Sequence, residues 1–375
     1  MAAAGLISRL VSTGLRTRPS AGGDVEHRRR DATDVRMEGC EAVVSKLPLS
    51  VAVGHYAITM PLVTGEVEPK GVEVTPLDLP SPERHWRMLR HQEFDVAETS
   101  IAGYLRAFEQ EPDRWTAIPV FPHRRFRHGY IFVIDPDLVG HPERLNGRSV
   151  GVRTWATSAG VWQRGILQDH HEVDLSSIRW VTEHAENVVG GTADGFEIEQ
   201  APASAGLVEL LASGELDALI YPEFPAAPPD SQVKIRRMFP DPKRAELDYA
   251  AAGGAFPIMH TVAMRRSVAE EHPWVPLSLM AAFEQAKRLA YRRFRDPRYS
   301  PLAWVESMLE EQDEVLGDDP WPYDFATNEP ALATLQRFAH EQGLISEKVE
   351  VSSHFWPSTL LPPPAYRAAG RQWSR

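Results

Sequence analysis

The chain has 375 residues, a formal net charge of -12 and the composition of a folded globular protein. Its length suits two domains, and its acidic balance argues against nucleic acid as a partner. It has one cysteine, Cys40, which excludes internal disulfides and cysteine-cluster zinc sites and argues against a catalytic thiol.

The amino-terminal segment, residues 1–46, is predicted to be a disordered tail. Met1–Ser20 contains three arginines, no acidic residue and only short apolar runs, so it resembles a weak transit sequence. Its apolar core is too short for a secretory signal or a spanning helix, and an Arg- and Asp-rich run follows it. We therefore expect a cytoplasmic protein without a membrane partner, with Met37 as an alternative initiator.

Regular structure is predicted to begin at Leu47, where a short strand leads towards His55 and Tyr56. A helix is expected to follow at Ser81, with this serine as the N-cap and Pro82 at the first helical position. These elements open what we interpret as the first of two α/β lobes.

Two distant segments share one pattern. The phrase Q-E-F-D-V-A contains a strand predicted at Phe94–Ala97, which places Glu98 and Ser100 at its end. The phrase G-E-L-D-A-L contains a strand predicted at Glu215–Ile220, which places Tyr221 at its end. Each follows a helix and an acidic turn, which predicts two similar lobes whose strands direct their carboxyl ends into a shared cleft. Chance is the alternative explanation for matches this short.

The basic segment Ile118–Gly129 lies between these two phrases. Its two prolines exclude a regular helix, and the apolar run Tyr130–Ile134 after it is predicted to be a buried strand. Arg127 and His128 therefore lie on a rigid turn at the mouth of a strand, where a scaffold can direct them towards an anion such as a carboxylate. A solvated basic turn is the alternative interpretation.

A second anion site is predicted in the other lobe. The strand Ser149–Val152 leads through Thr154 and Thr157 to a helix over Ala159–Leu167, with Ser158 as its expected N-cap. Hydroxyl groups and free backbone N–H groups at a helix start favour anion binding. Ordinary helix capping is the alternative.

The remaining chain is predicted to be mainly helical. The extended segment Ala255–Met264 is expected to carry the chain back to the first lobe. The predicted later helices are Val275–Arg293, Pro301–Leu316 and Glu329–Gln342. The predicted domain boundaries are 47–134 for the first part of lobe 1, 135–260 for lobe 2, and 261–375 for the return to lobe 1 and the carboxyl-terminal helices.

Several phrases together resemble one protein family. They are R-M-L-R-H-Q-E-F-D-V-A-E at Arg87–Glu98, A-I-P-V-F-P-H-R-R-F-R-H at Ala117–His128, V-W-Q-R-G-I-L-Q-D at Val161–Asp169, F-P-I-M-H at Phe256–His260 and G-D-D-P-W-P-Y at Gly317–Tyr323. On these phrases the chain resembles the 4,5-dihydroxyphthalate decarboxylase family from about Leu47 to Gln342. The resemblance implies an α/β fold of the two-lobed type II periplasmic-binding-protein-like class, with a hinge and an interlobe cleft.

The resemblance also implies a reaction, the conversion of 4,5-dihydroxyphthalate to 3,4-dihydroxybenzoate (protocatechuate) and CO₂ in phthalate degradation. Such a reaction needs a cation to hold the retained carboxylate, a base near the phenols and an acid facing the ring carbon. The candidates for catalysis are His128, His55, Glu98 and His260. The candidates for substrate binding are Arg127, Arg164, Tyr56, Ser100, Thr154, Trp155, Thr157, Ser158, Trp162 and Tyr221.

These candidates divide into roles by their chemistry. Arg127 and Arg164 suit a bidentate carboxylate clamp, and we assign binding mainly to Arg127 and the chemical rate mainly to His128. A structural, hydrogen-bonded role is the alternative for each histidine. The histidines expected on helix surfaces are His85, His91, His170 and His171.

No organic cofactor is predicted, and a divalent metal stays open, with His55, Glu98 and His128 as a set that could converge from distant strands. The expected partner is a small aromatic acid, and a homo-oligomer is not excluded. The competing functions are a receptor that binds such an acid without turnover and an enzyme acting on another small acid, because a fold does not determine a function.

Overall fold

Two β-sheets and the helices packed on them form the described part of the chain in this computed structural model, which covers residues 45–184, 193, 195–229 and 231–361. Cys40, Met37 and all but the last two residues of the predicted tail lie outside the described residues. No helix in this part of the chain is long and apolar enough to cross a bilayer.

The strands and helices follow one another along the chain in an alternating α/β pattern. The strands are β1 (Leu47–Ala52), β2 (Val72–Leu77), β3 (Val96–Ser100), β4 (Trp115–Ile118), β5 (Ile131–Val133), β6 (Ser149–Val152), β7 (Arg179–Thr182), β8 (Glu197–Gln200), β9 (Ala218–Ile220), β10 (Arg236–Arg237) and β11 (His260–Arg265). The helices are α1 (Met60–Val63), α2 (Ser81–His91), α3 (Ile101–Gln110), α4 (Ser158–His171), α5 (Leu207–Ser213), α6 (Pro242–Ala251), α7 (Arg266–Glu271), α8 (Val275–Phe294), α9 (Val305–Leu316), α10 (Phe325–Glu341) and α11 (Pro357–Leu360).

The two sheets share one topology. The first sheet has the order β2-β1-β3-β11-β4, and the second has the order β10-β5-β9-β6-β7-β8. When β6, β7, β9, β5 and β10 are matched to β1, β2, β3, β11 and β4, both sheets have the same strand order, and β8 is an added edge strand. The matched strands β11 and β5 run antiparallel to their neighbours β3 and β9. Each is the first strand that the chain forms after it has crossed from the other sheet. The two-lobed α/β fold of the type II periplasmic-binding-protein-like class is thereby confirmed.

The chain crosses between the sheets twice. It leaves the first sheet after β4 and enters the second with β5, and it leaves the second after β10 and returns with β11. The predicted boundary at residue 134 places β5 with the first lobe, whereas this strand pairs with β9 and β10 in the second sheet.

The similarity between the two phrases in the sequence reflects one hydrogen-bonding arrangement that occurs in both lobes. In the first lobe, Asp95 before β3 accepts hydrogen bonds from the backbone N–H (2.8 Å) and the hydroxyl (2.6 Å) of Ser50 on β1. In the second lobe, Asp217 before β9 accepts the same two bonds from Ser149 on β6, at 2.9 and 2.8 Å. The aspartate of each phrase therefore ties β3 to β1 in the first sheet and β9 to β6 in the second.

Two predicted helix caps are displaced by one residue. Ser81 is the first helical residue of α2, and Pro80, with an extended backbone, occupies the N-cap position. Ser158 is likewise the first helical residue of α4. Thr157 is its N-cap, and the Thr157 hydroxyl accepts a hydrogen bond from the backbone N–H of Gly160 at 3.2 Å.

Other elements differ in extent. The pattern at Pro301–Leu316 predicts a longer helix than α9, which begins at Val305. Helix α10 begins at Phe325, four residues before its predicted start, because Asp324 caps it by accepting the N–H of Thr327 at 2.7 Å. Helix α3 and strand β8 have no counterpart among the predicted elements.

Arg164 is a structural residue that joins α4 to the end of α10. Its side chain is completely buried, and its Nε donates to Oε1 of Gln342 at 2.7 Å. Its Nη2 donates to the carbonyl of Trp155 at 2.6 Å, and the guanidinium lies 3.8 Å from the centroid of the Trp155 ring. The predicted role of Arg164 as a carboxylate clamp is therefore replaced by one in packing.

We expect Arg164→Met to lower the free energy of unfolding by about 3 kcal/mol, because Gln342 and the Trp155 carbonyl lose a buried charged donor. Urea denaturation of the two proteins measures this difference. Arg298→Met is the matched control, since the Arg298 side chain is 89% exposed, and it should change stability by less than about 0.5 kcal/mol. Equal stabilities for the Arg164 and Arg298 variants would contradict the assignment.

Candidate active site

A cavity of about 480 Å³ lies where strand ends from the two sheets meet. The first lobe contributes Tyr56 after β1, the start of α2 and Ser100 at the end of β3. The second lobe contributes the loop after β6, the start of α4 and Tyr221 after β9. The segment at the first chain crossing adds His123 and Arg127, and the segment at the second adds Met259 and His260. This position matches the rule that ligands of open α/β sheets bind at the carboxyl ends of strands.

Glu98 on β3 is a buried carboxylate next to this cavity. Its Oε2 accepts hydrogen bonds from the backbone N–H of Gly54 (2.7 Å) and from Nη2 of Arg84 (2.8 Å). Its Oε1 accepts the hydroxyl of Tyr56 (2.7 Å) and bonds to Nδ1 of His260. Burial by itself would raise the pKa of Glu98, but His260 and Arg84 outweigh that effect and hold the pKa well below its usual range. Glu98 is therefore an anion with all its acceptor positions in use.

The carboxylate of Glu98 also holds the neighbouring side chains in place. Arg84 is 1% exposed, and its Nη1 also donates to the carbonyl of Leu79 at 2.8 Å. Burial, followed by the negative charge of Glu98, raises the pKa of Tyr56, so the phenol stays protonated and donates to the carboxylate. The bond from His260 Nδ1 to Glu98 leaves Nε2 as the ring nitrogen available to the cavity.

Three histidine rings form one wall of the cavity. The ring of His260 lies between the rings of His85 and His123, with centroids 4.6 and 4.8 Å away and edge-to-face geometry in both pairs. Burial, followed by the proximity of His260, lowers the pKa of His85 well below its ordinary value and that of His123 to about 2. His85 and His123 are therefore neutral near pH 7, with nitrogen lone pairs available.

Arg127 is a buried cation in the cavity wall. It is only 5% exposed, its Nε contacts Sδ of Met259 at 3.2 Å, and its guanidinium lies 5.2 Å from the ring centroid of Tyr130. It forms no ion pair with any carboxylate of the described residues. Burial, followed by the charge of Arg125, lowers the pKa of Arg127 to about 10, so it remains charged at neutral pH. A buried guanidinium without a counter-ion at a cavity wall favours an anionic ligand.

The starts of two helices meet at the cavity wall. The hydroxyls of Ser100, the N-cap of α3, and Ser158 lie 2.8 Å apart and link the two lobes, and Ser158 also accepts the N–H of Ala102 at 3.1 Å. The N–H groups of Ser158 and Ala159 lie in the first turn of α4, where a helix offers no internal acceptor. Both residues line the cavity, so this end of α4 adds positive electrostatic potential to that of Arg127.

The structure brings together more than half of the candidate residues from the sequence. Those that line the cavity are Tyr56, Ser100, Arg127, Thr154, Thr157, Ser158, Tyr221 and His260, with Glu98 bonded directly to two of them. The candidates that do not line it are His55, His128, Arg164, Trp155 and Trp162.

Three of these five, Arg164, Trp155 and Trp162, are buried in the core on or beside α4. The indole N–H of Trp155 donates to the carbonyl of Gln342 at 2.9 Å, and that of Trp162 donates to the carbonyl of Ile258 at 2.8 Å. Both rings are buried and neither lines the cavity, so they support the cleft rather than contact a ligand.

The two misplaced histidines have different surroundings. His55 is exposed, and its Nδ1 lies 3.6 Å from a carboxylate oxygen of Asp78. His128 is 2% exposed and packs 5.2 Å from the ring of Phe239 and 5.3 Å from that of Tyr249. The turn bends at this point, so Arg127 faces the cavity while His128 faces α6.

His85 and His123 were not among the candidates. The sequence assigns His85 to a helix surface, which is wrong, because it lines the cavity together with Leu89 one turn later. That i, i+4 spacing is the signal that could have identified His85. His123 belongs to the basic segment, but the arginines there are the more prominent anion ligands.

The residues that converge as a possible metal-binding set also differ from those expected from the sequence. His55, Glu98 and His128 do not converge. Among the described residues, His85, Glu98 and His260 do offer ligand atoms that lie within 4.8 Å of one another.

Comparison with known proteins agrees with the motifs. No profile of a known protein family matches the chain. The 4,5-dihydroxyphthalate decarboxylase of Comamonas testosteroni is 31% identical over 325 residues, which are 84% of this chain and 98% of that protein. The chain belongs to the 4,5-dihydroxyphthalate decarboxylase family. A second family member, from Pseudomonas putida, is 33% identical over 216 residues, 56% of this chain and 84% of the relative.

Solved structures show a more distant likeness to this family member. The periplasmic aliphatic sulphonate binding protein of Escherichia coli has a TM-score of 0.48 and 16% identity, covering 85% of this chain and 95% of that one. A protein from Archaeoglobus fulgidus has a TM-score of 0.47 and 15% identity, covering 80% and 98%.

His128 predicts a loss of stability in acid. Burial, followed by the proximity of His171 and His170, lowers its pKa from 6.5 to about 4 in the folded protein. The unfolded chain therefore binds more protons between these two values, and the free energy of unfolding falls as the pH decreases from 6.5 towards 4. We expect His128 to account for about 2 kcal/mol of this loss at pH 5.

Urea denaturation at pH 7 and pH 5 measures the loss. In His128→Phe, which keeps the aromatic packing and removes the titrating group, the decrease between the two pH values should be smaller by that amount. His55→Phe is the control, since His55 is exposed and its replacement should leave the decrease unchanged. A decrease in His128→Phe as large as in the parent protein would refute the assignment.

Proposed function

We propose that this protein is a carboxy-lyase that converts 4,5-dihydroxyphthalate to 3,4-dihydroxybenzoate and CO₂. Its relatives carry the name of that activity. The observation that supports it most directly is Arg127, a buried cation that pairs with no carboxylate in the described part of the chain, in the same cavity as an imidazole bonded to the anionic Glu98.

The substrate has opposite requirements at its two ends. Its carboxylates need positive charge, and its vicinal hydroxyls need groups that accept protons. Arg127 and the first turn of α4 meet the first requirement, and the wall formed by His85, His123 and His260 meets the second. A substrate bound in this way has its retained carboxylate on Arg127 and its phenols at the histidine wall.

The chemistry follows from this orientation. His260 Nε2 accepts the proton of the hydroxyl para to the departing carboxylate, and Glu98 stabilises the imidazolium that forms. A proton from the surrounding water adds to the ring carbon that bears this carboxylate. The carbon–carbon bond then breaks, its electron pair restores the aromatic ring, and CO₂ leaves. His260 returns its proton to the phenolate oxygen, so the net change is one proton taken up per CO₂ released.

We expect the purified protein to release CO₂ from 4,5-dihydroxyphthalate and to form 3,4-dihydroxybenzoate in equal amount. Chromatography of the products together with CO₂ detection measures both. A panel of hydroxybenzoic and hydroxyphthalic acids tests the range of substrates. Thermal stabilisation by these acids without turnover of any of them would instead indicate a receptor.

Substitutions separate binding from chemistry. We expect Arg127→Met to raise KM by about tenfold to a hundredfold, because the carboxylate loses a charge-assisted hydrogen bond. We expect His260→Gln to lower kcat by about 10²- to 10⁴-fold with little change in KM, because it removes the proton acceptor.

Arg125→Met is the matched control for Arg127. Arg125 is the exposed neighbour, its guanidinium bonds to the hydroxyl of Tyr130 at 2.7 Å, and it does not line the cavity. It should leave KM and kcat within about twofold of the parent values. Equal effects of the Arg125 and Arg127 variants on KM would contradict the binding role of Arg127.

A further inference from the structure

Arg153 is a second cation that lines the cavity, and it differs from Arg127 in its surroundings. It follows β6 directly, in the loop that leads to α4, and its side chain is 39% exposed. 4,5-Dihydroxyphthalate has two adjacent carboxylates, and the proposed reaction places only the retained one on Arg127. A second cation in the same cavity is therefore a candidate ligand for the other carboxylate.

The two arginines are joined through a pair of tyrosines. The guanidinium of Arg127 lies 5.2 Å from the ring centroid of Tyr130, and that of Arg153 lies 5.7 Å from the ring centroid of Tyr221. The backbone N–H of Tyr221 donates to the carbonyl of Tyr130 at 3.1 Å. Tyr130 directly precedes β5 and Tyr221 directly follows β9, and these two strands are paired. Both cations are therefore anchored at one edge of the second sheet, where strand ends border the cavity.

Glu183 neutralises Arg153 only in part. Nε of Arg153 lies 3.4 Å from Oε2 of Glu183, and water reaches the arginine side chain, so this ion pair is weak. The two Nη groups of Arg153 donate to no acceptor within the described part of the chain. They are therefore available to a carboxylate, which a guanidinium binds through two N–H groups at once.

We propose that Arg153 binds the second carboxylate of an aromatic diacid, next to the one on Arg127, and so selects vicinal dicarboxylates over monocarboxylates. A partly neutralised, partly exposed cation suits the departing carboxylate, because this group loses its charge as CO₂ forms. A tighter hold would stabilise the substrate more than the transition state and slow the reaction. That this carboxylate is the departing one rests on the proposed function, whereas the binding of a diacid by the two arginines does not.

Phthalate and benzoate test the site, because they differ by one carboxylate and neither has the para hydroxyl that the reaction needs. Calorimetry on the full-length protein measures both dissociation constants. We expect the parent to bind phthalate more tightly than benzoate. Arg153→Met should weaken phthalate binding by about tenfold and benzoate binding by less than about twofold, because only the diacid contacts Arg153. Glu183→Gln should bind phthalate more tightly than the parent, since it removes the competing carboxylate.

Arg179→Met is the matched control. Arg179 on β7 has the same exposed fraction, 39%, and also pairs with a glutamate, Glu199 at 3.0 Å, but it does not line the cavity. It should bind phthalate and benzoate as the parent does. Thermal unfolding verifies that each variant is folded. Equal losses of phthalate and benzoate affinity in Arg153→Met, or no loss of either, would overturn the proposal.

Turnover of 4,5-dihydroxyphthalate separates this inference from the proposed function. We expect Arg153→Met to raise KM by about tenfold without lowering kcat, because the lost contact weakens before the transition state is reached. A lower kcat at unchanged KM would overturn the proposal. Turnover by the parent, with phthalate selectivity unchanged in Arg153→Met, would keep the decarboxylase assignment and overturn the site. Loss of selectivity in this variant, without turnover by the parent, would support the site and overturn the assignment instead.

Discussion

The negative charge of Glu98 is the constraint on which the cleft depends. A carboxylate with no exposed surface is costly to bury unless every acceptor position is satisfied. Its four hydrogen bonds come from the chain after β1, from α2 and from β11. The same group that must be compensated therefore joins three elements of the first lobe, and it determines which nitrogen His260 presents to the cavity. Structure and chemistry share one interaction.

The two lobes use one framework for different purposes. In each, an aspartate before one central strand (β3 or β9) binds a serine on the neighbouring strand (β1 or β6), and the order of the matched strands is the same. The ends of the strands differ. The first lobe brings Glu98 and His85 to the cleft, and the return strand adds His260, whereas the second lobe adds hydroxyls and the start of α4. The carboxylate and imidazoles of the first lobe thus meet the hydroxyls and helix start of the second only because the lobes face each other, and the fold alone would not specify a reaction.

Proximity within a turn proved a poor guide to the position of side chains. Arg127 and His128 are neighbours in sequence, yet one lines the cavity and the other packs against Phe239 and Tyr249. Adjacent side chains on an irregular turn point in different directions, and no periodicity of helix or strand predicts which one faces inward. The helix spacing that relates His85 to Leu89 would have been a better signal, since residues four apart share a helix face.

The sequence by itself determined the family, the two α/β lobes, the repeated strand phrases and the candidates Glu98, His260 and Arg127. These follow from local patterns, because apolar periodicity and turn residues act over short stretches of chain. Only the tertiary structure decided that Arg164, Trp155 and Trp162 belong to the packing core and that His85 and His123 belong to the cavity. Their partners, such as Gln342 and His260, lie far away in sequence, and contacts of that range arise only when the chain crosses between the two sheets.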